Sequence, residues 1–471
     1  MIQDMTAGNP TRLILKFAVP LLIGNIFQQL FQISDIIIVG RLIGIEALAA
    51  VGSSAPVFFV VILVTLGFTG GLTVITSQRF GAKDFDGVRR SVTHSLAAAF
   101  GLSFAMTALL MTYMRPLLRL MNVPAEIMAD AYNFMMILSG GLVMIVAYNL
   151  LSGFIRALGD SKTPLYFLIF SSVLNILLNL WLIYSFKLGV VGSASGTVIS
   201  MTISAVLCLV YMLRKYPLLR IRREDWRLDY RFMIEHLNIA VPMALQFSVL
   251  SLGLMFVQSV CNSFGPDTIA AFTSALRIEQ LATQPMIALG IAMATYAAQN
   301  SGAGMIARIR TGVRNSSLIS LSFSLFIALL VRFVGEEMVG IFIENPSPQI
   351  IETARQYLNI STMFYLFLGQ IFIYRNTLQG MGDSMIPLVA GVMELVMRSF
   401  AAVYLANHFG YVGICYAGPI AWIAASSVVF IGYNVTIRKL SRGTSRLPAK
   451  WRNIRFSRSK QDCLPEGTPA E

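Results

Sequence analysis

The chain has 471 residues, of which 56% are hydrophobic and only 13% charged, and its mean hydropathy is +0.70. That is far more apolar surface than a soluble fold can cover, so composition excludes a soluble protein and names lipid as the solvent. The formal charge of +13 would elsewhere suggest a nucleic-acid partner, but here the basic residues flank apolar stretches, where anionic lipid accounts for them.

In chain order, residues 1 to 10 are short and polar and carry nothing like a cleaved signal peptide. Twelve apolar stretches follow, at 13–39, 47–77, 92–114, 126–153, 163–186, 190–213, 235–262, 269–299, 313–334, 349–379, 385–406 and 412–437. Each can supply the roughly 20 residues of helix that cross a bilayer. Lipid offers no partner to an open backbone, so they read as helices, and the short alternating strands of a β-barrel are absent. A basic linker, 214–234, divides the spans six and six. The tail, 441–471, mixes Ser, Arg, Lys and Pro and is expected to be disordered and cytoplasmic.

Polar residues inside the spans carry the functional signal, because a charged side chain in lipid costs about 2.5 to 3.5 kcal/mol on insertion scales. The first span holds Asn25, Gln28, Gln32 and Asp35, whose spacing of three, four and three puts them on one helical face. Asp35 is either solvated near a helix end, tied to a polar neighbour, or a titrating carboxylate facing a cavity. In span eight, Arg277, Gln280 and Gln284 share a face with Glu279 at its edge. In span eleven, Glu394 and Arg398 form an i,i+4 pair that either neutralises itself inside the bundle or faces the cavity. Pro20, Pro56, Pro242, Pro285 and Pro419 lie inside spans, where lost backbone hydrogen bonds allow bending. The 24 Met and 31 Phe are ordinary membrane filling that also suits varied flat ligands. Cys208, Cys261 and Cys415 read as small packing residues and Cys463 as a free tail thiol, none with metal or redox spacing.

The second half repeats the first at a shift of 221 to 223. Pro20 recurs as Pro242, Ala49-Ala50 as Ala270-Ala271, Gln78 and Gly81 as Gln299 and Gly302. Gly159-Asp160-Ser161 recurs as Gly382-Asp383-Ser384, Pro164 as Pro387, and Gly189 and Gly192 as Gly410 and Gly413. Six spans per copy is an even number, so the copies are parallel and related by an axis along the membrane normal, with a working site between them. The expected fold is an all-α membrane protein of twelve helices in two parallel six-helix bundles, 10–213 and 235–440. Of the 36 Lys and Arg residues, 27 fall on the side that carries both termini. By the positive-inside rule that side is cytoplasmic. Asp35 has Val257 as its repeat equivalent, so the fold itself does not need an acid there.

Three motifs now converge: Gln-Ile-Ser-Asp ending at 35, Ser-Gln-Arg-Phe-Gly-Ala-Lys at 77–83 with Gln-x-x-Gly-Ala repeated at 299–303, and Gly-Asp-Ser-Lys-Thr-Pro at 159–164. With the twelve-span layout, these make the chain resemble the multidrug and toxic compound extrusion (MATE) transporters over about residues 10 to 440. Arg-Ile-Glu-Gln-Leu-Ala-Thr-Gln-Pro at 277–285 and Glu-Leu-Val-Met-Arg at 394–398 look closest to bacterial members, which implies the bacterial cytoplasmic membrane. The resemblance implies cation-coupled export of amphipathic, often cationic compounds through a cavity between the bundles. It assigns the family's cation site to Asp35, Asn175, Asn179 and Thr197, for a proton or Na+. The second acid of that site is replaced by Asn179, and a second cation site known in one branch meets Gln246 and Gln370 instead of acids. A donor set with one carboxylate favours the proton.

The substrate cavity is expected to draw on Asn25, Gln28, Gln32, Gln246, Arg277, Glu279, Gln280, Gln284, Glu394 and Arg398. A flippase or exporter of a lipid-linked or small-metabolite substrate is the alternative; it would line its cavity with several cations for phosphate, and only Arg277, Arg375 and Arg398 are candidates. An enzyme or receptor is disfavoured because His94, His236 and His408 are scattered and no nucleophile with a base appears. No Walker sequence exists, so ATP is not the direct energy source. No cofactor, nucleic acid or second subunit is expected.

Overall fold

The computed structural model describes residues 3–340 and 347–441, and among these every element is helical. In the first half α1 is Pro10–Leu42, α2 Ile45–Gly81, α3 Phe85–Leu120, α4 Met128–Gly140, α5 Leu142–Ala157, α6 Lys162–Tyr184 and α7 Gly189–Lys215. In the second half α8 is Tyr230–Cys261, α9 Pro266–Ala282, α10 Gln284–Gly302, α11 Ile306–Gly340, α12 Pro348–Met363, α13 Tyr365–Gly380, α14 Met385–Phe409, α15 Tyr411–Cys415 and α16 Ala417–Ser441. Among the described residues nine helices are long and apolar enough to cross a bilayer alone, and the pairs α4–α5, α9–α10 and α12–α13 each make one more as a bent span. The fold is twelve transmembrane helices in two parallel six-helix bundles. Residues 442–471, Cys463 among them, lie outside the described residues.

The bends meet the span prolines at one place, Pro285. The three breaks measure 45°, 42° and 51°, and they fall at Gly141, Thr283 and Phe364. Pro20, Pro56 and Pro242 instead sit inside the unbroken α1, α2 and α8. Pro285 lies in the first turn of α10, where its missing N–H has no intrahelical partner to lose. The break at Thr283 thus adjoins a proline, while those at Gly141 and Phe364 do not.

Helix starts are built from short polar side chains. Asn9 Oδ1 accepts from Arg12 N–H at 3.3 Å, Asp84 Oδ1 from Gly87 N–H at 2.9 Å, and Asp229 Oδ1 from Arg231 N–H at 2.8 Å. Each such cap is worth about 1 kcal/mol. The Gly-Asp-Ser repeat is a structural device of the same kind. Gly159 and Gly382 both turn the chain at positive φ, 84° and 90°, which a Cβ would strain. The following Asp160 and Asp383 accept from the backbone N–H groups of Thr163 and Ile386 at the starts of α6 and α14.

The two bundles meet at the end that carries the termini. Gly81 and Gly302 cross so closely that a Cβ on either would lie 2.0 or 1.9 Å from the carbonyl oxygen of Gln299 or Gln78. Gln78 Nε2 donates to Gly380 O at 2.8 Å, and Gln299 Nε2 donates to Ala157 O at 2.9 Å, so each bundle caps a helix end of the other. Gly67 and Gly71 of α2 lie against Met243, Ala244 and Ala240 of α8. The N-terminal segment completes the seal. Gln3 N–H donates to Leu158 O at 3.1 Å, Met5 N–H to Gln299 Oε1 at 2.8 Å, and the Met5 side chain is fully buried. These contacts hold the two bundles together at the end that carries the termini.

His94 and His236 are not scattered: their rings stack with centroids 5.9 Å apart where α3 meets α8. His94 Nε2 accepts from Asp229 N–H at 2.9 Å, and His236 Nε2 pairs with Ser91 Oγ at 2.9 Å. Both rings also reach a backbone carbonyl one turn earlier, of Arg90 and Phe232. Their role here is to tie the first bundle to the linker and α8. Sequence separation of 142 positions hid the pair.

Candidate functional site

Asp35 lies on α1 opposite α6. Asn179 Nδ2 donates to Asp35 Oδ1 at 2.6 Å and to Asn175 Oδ1 at 2.9 Å, while Asn175 Nδ2 donates to Thr197 Oγ1 at 3.0 Å. Four residues from three helices are therefore one continuous hydrogen-bonded chain. The i,i+4 spacing of Asn175 and Asn179 points both amides from α6 into the cleft between α1 and α7. On α7, Ser193, Thr197 and Ser200 repeat at i, i+4 and i+7 and form the opposite wall. Ser193 Oγ is fully buried, has no hydrogen bond of its own and faces the Asp35 carboxylate, and Ser200 Oγ lies 3.5 Å from Asn175 Nδ2. Neither serine stands out in the sequence, because single hydroxyls are common in membrane helices; their shared face with Thr197 was the available signal.

Gly196 makes the geometry possible. A Cβ at that position would lie 2.0 Å from Asn179 Oδ1. That oxygen is buried and has no hydrogen-bond partner, an arrangement that usually costs about 1 to 3 kcal/mol. Asn179 thus presents its donor to the acid and keeps an unused acceptor beside α7. The Val257 counterpart of Asp35 packs in the apolar core of the second bundle.

The remaining polar residues divide among three environments. Gln28 is exposed and Asn25 half-buried on the same stripe as Asp35, and Arg277 and Gln280 are exposed on α9. The Gln32 side chain lies outside the described residues. Gln284 and Gln246 are buried, and Gln246 Oε1 accepts from Gln379 Nε2 at 2.8 Å, which locks α8 to α13. Glu394 and Arg398 pair at 2.5 Å with about one-twentieth of each exposed, in a narrow crevice against Val249, Leu250 and Gly253 of α8. Glu279 turns away from the Arg277 face and accepts from Tyr357 OH at 3.1 Å, inside the second bundle. An apolar crevice of about 110 Å³ between α1 and α10–α11 carries no charged group.

The profile of the MatE family matches residues 20–181 and again residues 242–404. The chain belongs to the MatE family. It is similar to a probable multidrug resistance protein of Bacillus subtilis, 30% identical over 91% of this chain and 96% of the relative. A second relative, the FAD transporter of Shewanella oneidensis, is 23% identical over 87% of this chain and 91% of its own. Among solved structures, an outward-facing multidrug resistance MATE transporter superposes with a TM-score of 0.86 at 25% identity, covering 93% of this chain and 98% of that one. The protein is an integral membrane transporter of the MATE multidrug group and not an enzyme. Relative to the MATE layout anticipated above, the positions that bear acids in one branch hold Gln246 and Gln370, and Gln370 Nε2 reaches only the Ser317 carbonyl at 3.4 Å.

Proposed function

We propose that this MATE transporter exports amphipathic, cationic compounds in exchange for protons, with Asp35 as the coupling carboxylate. The observation that carries the reading is the chain Asp35–Asn179–Asn175–Thr197, which offers one carboxylate and otherwise neutral groups. Sodium prefers several oxygens with enough negative charge to offset lost hydration, whereas a proton needs one carboxylate whose surroundings change. Here the amide nitrogen of Asn179 is turned to the acid and its oxygen lies against α7. That arrangement suits a bound proton site better than a sodium cage.

The hydrogen-bond inventory supplies a mechanism. Ionised Asp35 accepts from Asn179 Nδ2. Once protonated, it becomes a donor, and the unpartnered Asn179 Oδ1 is the acceptor within reach after the amide rotates about its last bond. Rotation breaks the Asn179–Asn175 bond, so protonation is felt across α6 and α7. Substrate enters while Asp35 is ionised and the bundles are open to the cytoplasm; protonation from the opposite side then lowers substrate affinity after the cavity has opened outward. Asp35→Asn should insert and fold yet leave cells as drug-susceptible as those lacking the protein. Full resistance from well-expressed Asp35→Asn cells would remove Asp35 from the mechanism.

A second reading, export of an anionic metabolite, draws on one observation. Arg375 is nearly buried on α13, with only the Phe372 ring packed against its guanidinium and no carboxylate within ion-pair distance among the described residues. A similar relative is an FAD transporter. Uptake of a flavin nucleotide into inverted vesicles, lost in Arg375→Gln, would favour this reading.

A further inference from the structure

The second bundle contains an acid that the coupling site does not use. Glu279 sits in the last turn of α9, beside the 42° break at Thr283, and Thr283 Oγ1 donates to the Glu279 carbonyl at 2.9 Å. Its carboxylate accepts from Tyr357 OH. No cation lies within ion-pair distance of it among the described residues: Arg398 is in electrostatic reach but is bonded to Glu394. A helix C-terminus is the less favourable end for a negative charge. Nothing in the fold requires the acid, since its repeat equivalent at the local shift of 221 is Phe58, on a helix that runs unbroken.

Hydroxyls gather around this carboxylate. Tyr365 is fully buried, opens α13 immediately after the 51° break at Phe364, and turns its OH to the Glu279 carboxylate. Ser361 Oγ is fully buried one helical turn from Tyr357 and reaches the Tyr357 OH. Tyr411 OH, from α15, is buried and unpartnered beside Tyr357 and Cys415. Buried polar atoms normally find a partner. Tyr357 and Tyr365, from the two halves of one broken span, turn their hydroxyls to the same carboxylate, and Ser361 and Tyr411 extend the polar cluster beside Tyr357. Half-helix ends that meet inside a bundle are where transporters place ions.

We propose that Glu279 and the hydroxyls of Tyr357, Ser361, Tyr365 and Tyr411 form a second proton-binding site, in the second bundle and separate from Asp35. It rests on the proton reading above. The groups facing the carboxylate are Tyr357 from α12, Tyr365 from α13 and, at electrostatic range, Arg398 of the α14 pair; Ser361 and Cys415 lie beside Tyr357, and Cys261 beside Tyr411. The step is a simple one: the carboxylate takes a proton through the hydroxyl chain and returns it the same way. Because Glu279 and Tyr365 each border a break, any change in the two bend angles alters the contact between them, which couples proton occupancy to the shape of spans eight and ten.

Infrared difference spectra of the purified full-length protein, acidic minus alkaline buffer, report protonated carboxyl groups directly. Wild type should show two titrating carboxylic-acid components; Asp35→Asn should lose one and keep the other, and the one it keeps should be the band that Glu279→Gln loses. Glu279→Asp should restore the band, and Tyr357→Phe and Tyr365→Phe should keep it while shifting its pH midpoint, which a packing role alone would not do. An unchanged band in Glu279→Gln overturns the proposal. A band that depends on Glu279 but not at all on Asp35 would refute the coupling role of Asp35 and leave the second site standing.

Discussion

At the scale of single residues, what separates a functional acid from a structural one is the partner it is given. Asp35 and Glu279 meet neutral donors, whereas Glu394 meets Arg398 at 2.5 Å. A buried pair of opposite charge is costly to break, roughly 3 to 5 kcal/mol for removal of one partner. Glu394→Gln should therefore lower thermal stability in detergent, and Glu394→Gln with Arg398→Met should recover much of it. Recovery of transport along with stability would assign the pair to the scaffold. Gly196→Ala places its Cβ against Asn179; overpacking of this kind costs about 1 to 3 kcal/mol. The expected phenotype is loss of export with modest loss of stability, read by drug susceptibility and melting temperature together. The sequence showed Asp35 because a charge is rare in lipid, whereas Asn175, Asn179 and Thr197 came from the family resemblance. It did not show Ser193 or the hydroxyls around Glu279. The direction in which Glu279 points depends on a helix rotation of a fraction of a turn, and spacing alone left it at the edge of the Arg277 face.

Among the elements, the junction between α5 and α6 gives a pH-dependent test outside the membrane-spanning segments. Asp160 accepts from Lys162 N–H, Thr163 N–H and Oγ1, and Tyr216 OH, at 2.7 to 3.1 Å. Burial pushes its carboxyl up, but the hydrogen bonds from Tyr216 and Thr163 outweigh it and hold the group below its ordinary value of 3.8. A lowered folded value means stability that is present at neutral pH and is lost as pH falls through the folded value. Melting temperature should drop on acidification below the ordinary carboxylate range, and drop less steeply in Asp160→Asn, which should itself melt lower than wild type at pH 7. Equal slopes would remove Asp160 from the acid response. At this scale the sequence was legible in number and order, since hydropathy counts spans well. Two of the three bends were hidden, since Gly141 and Phe364 carry no proline, whereas the bend at Thr283 adjoins Pro285.

For the whole molecule, the repeat was legible because glycines and prolines mark positions where geometry leaves no alternative. Gly81 and Gly302 show why: each is pressed on a backbone carbonyl of the other bundle, which no rotamer change can relieve. Gly81→Ala should weaken the seal at the terminus-bearing end. With Cys463 replaced by Ser, a cysteine at the buried position Ala297 should label faster from that side in Gly81→Ala than in Gly81 protein. Unchanged labelling would mean that the crossing does not hold the closed end. By the positive-inside rule, the placement of 27 of 36 basic residues on that side predicts that it is cytoplasmic. Reporter fusions after Tyr230 and at the C-terminus should both read as cytoplasmic, and a periplasmic reading from either would invert the transport direction argued here.

The central claim is that a proton on a lone carboxylate drives export, and purified protein in liposomes tests it most directly. A fluorescent organic cation should be exported under an imposed proton gradient in sodium-free buffer, and that transport should vanish in Asp35→Asn. Transport that appears only with a sodium gradient would contradict the account, and would show that Asp35 with the neutral oxygens of Asn175, Asn179 and Thr197 suffices to hold the ion.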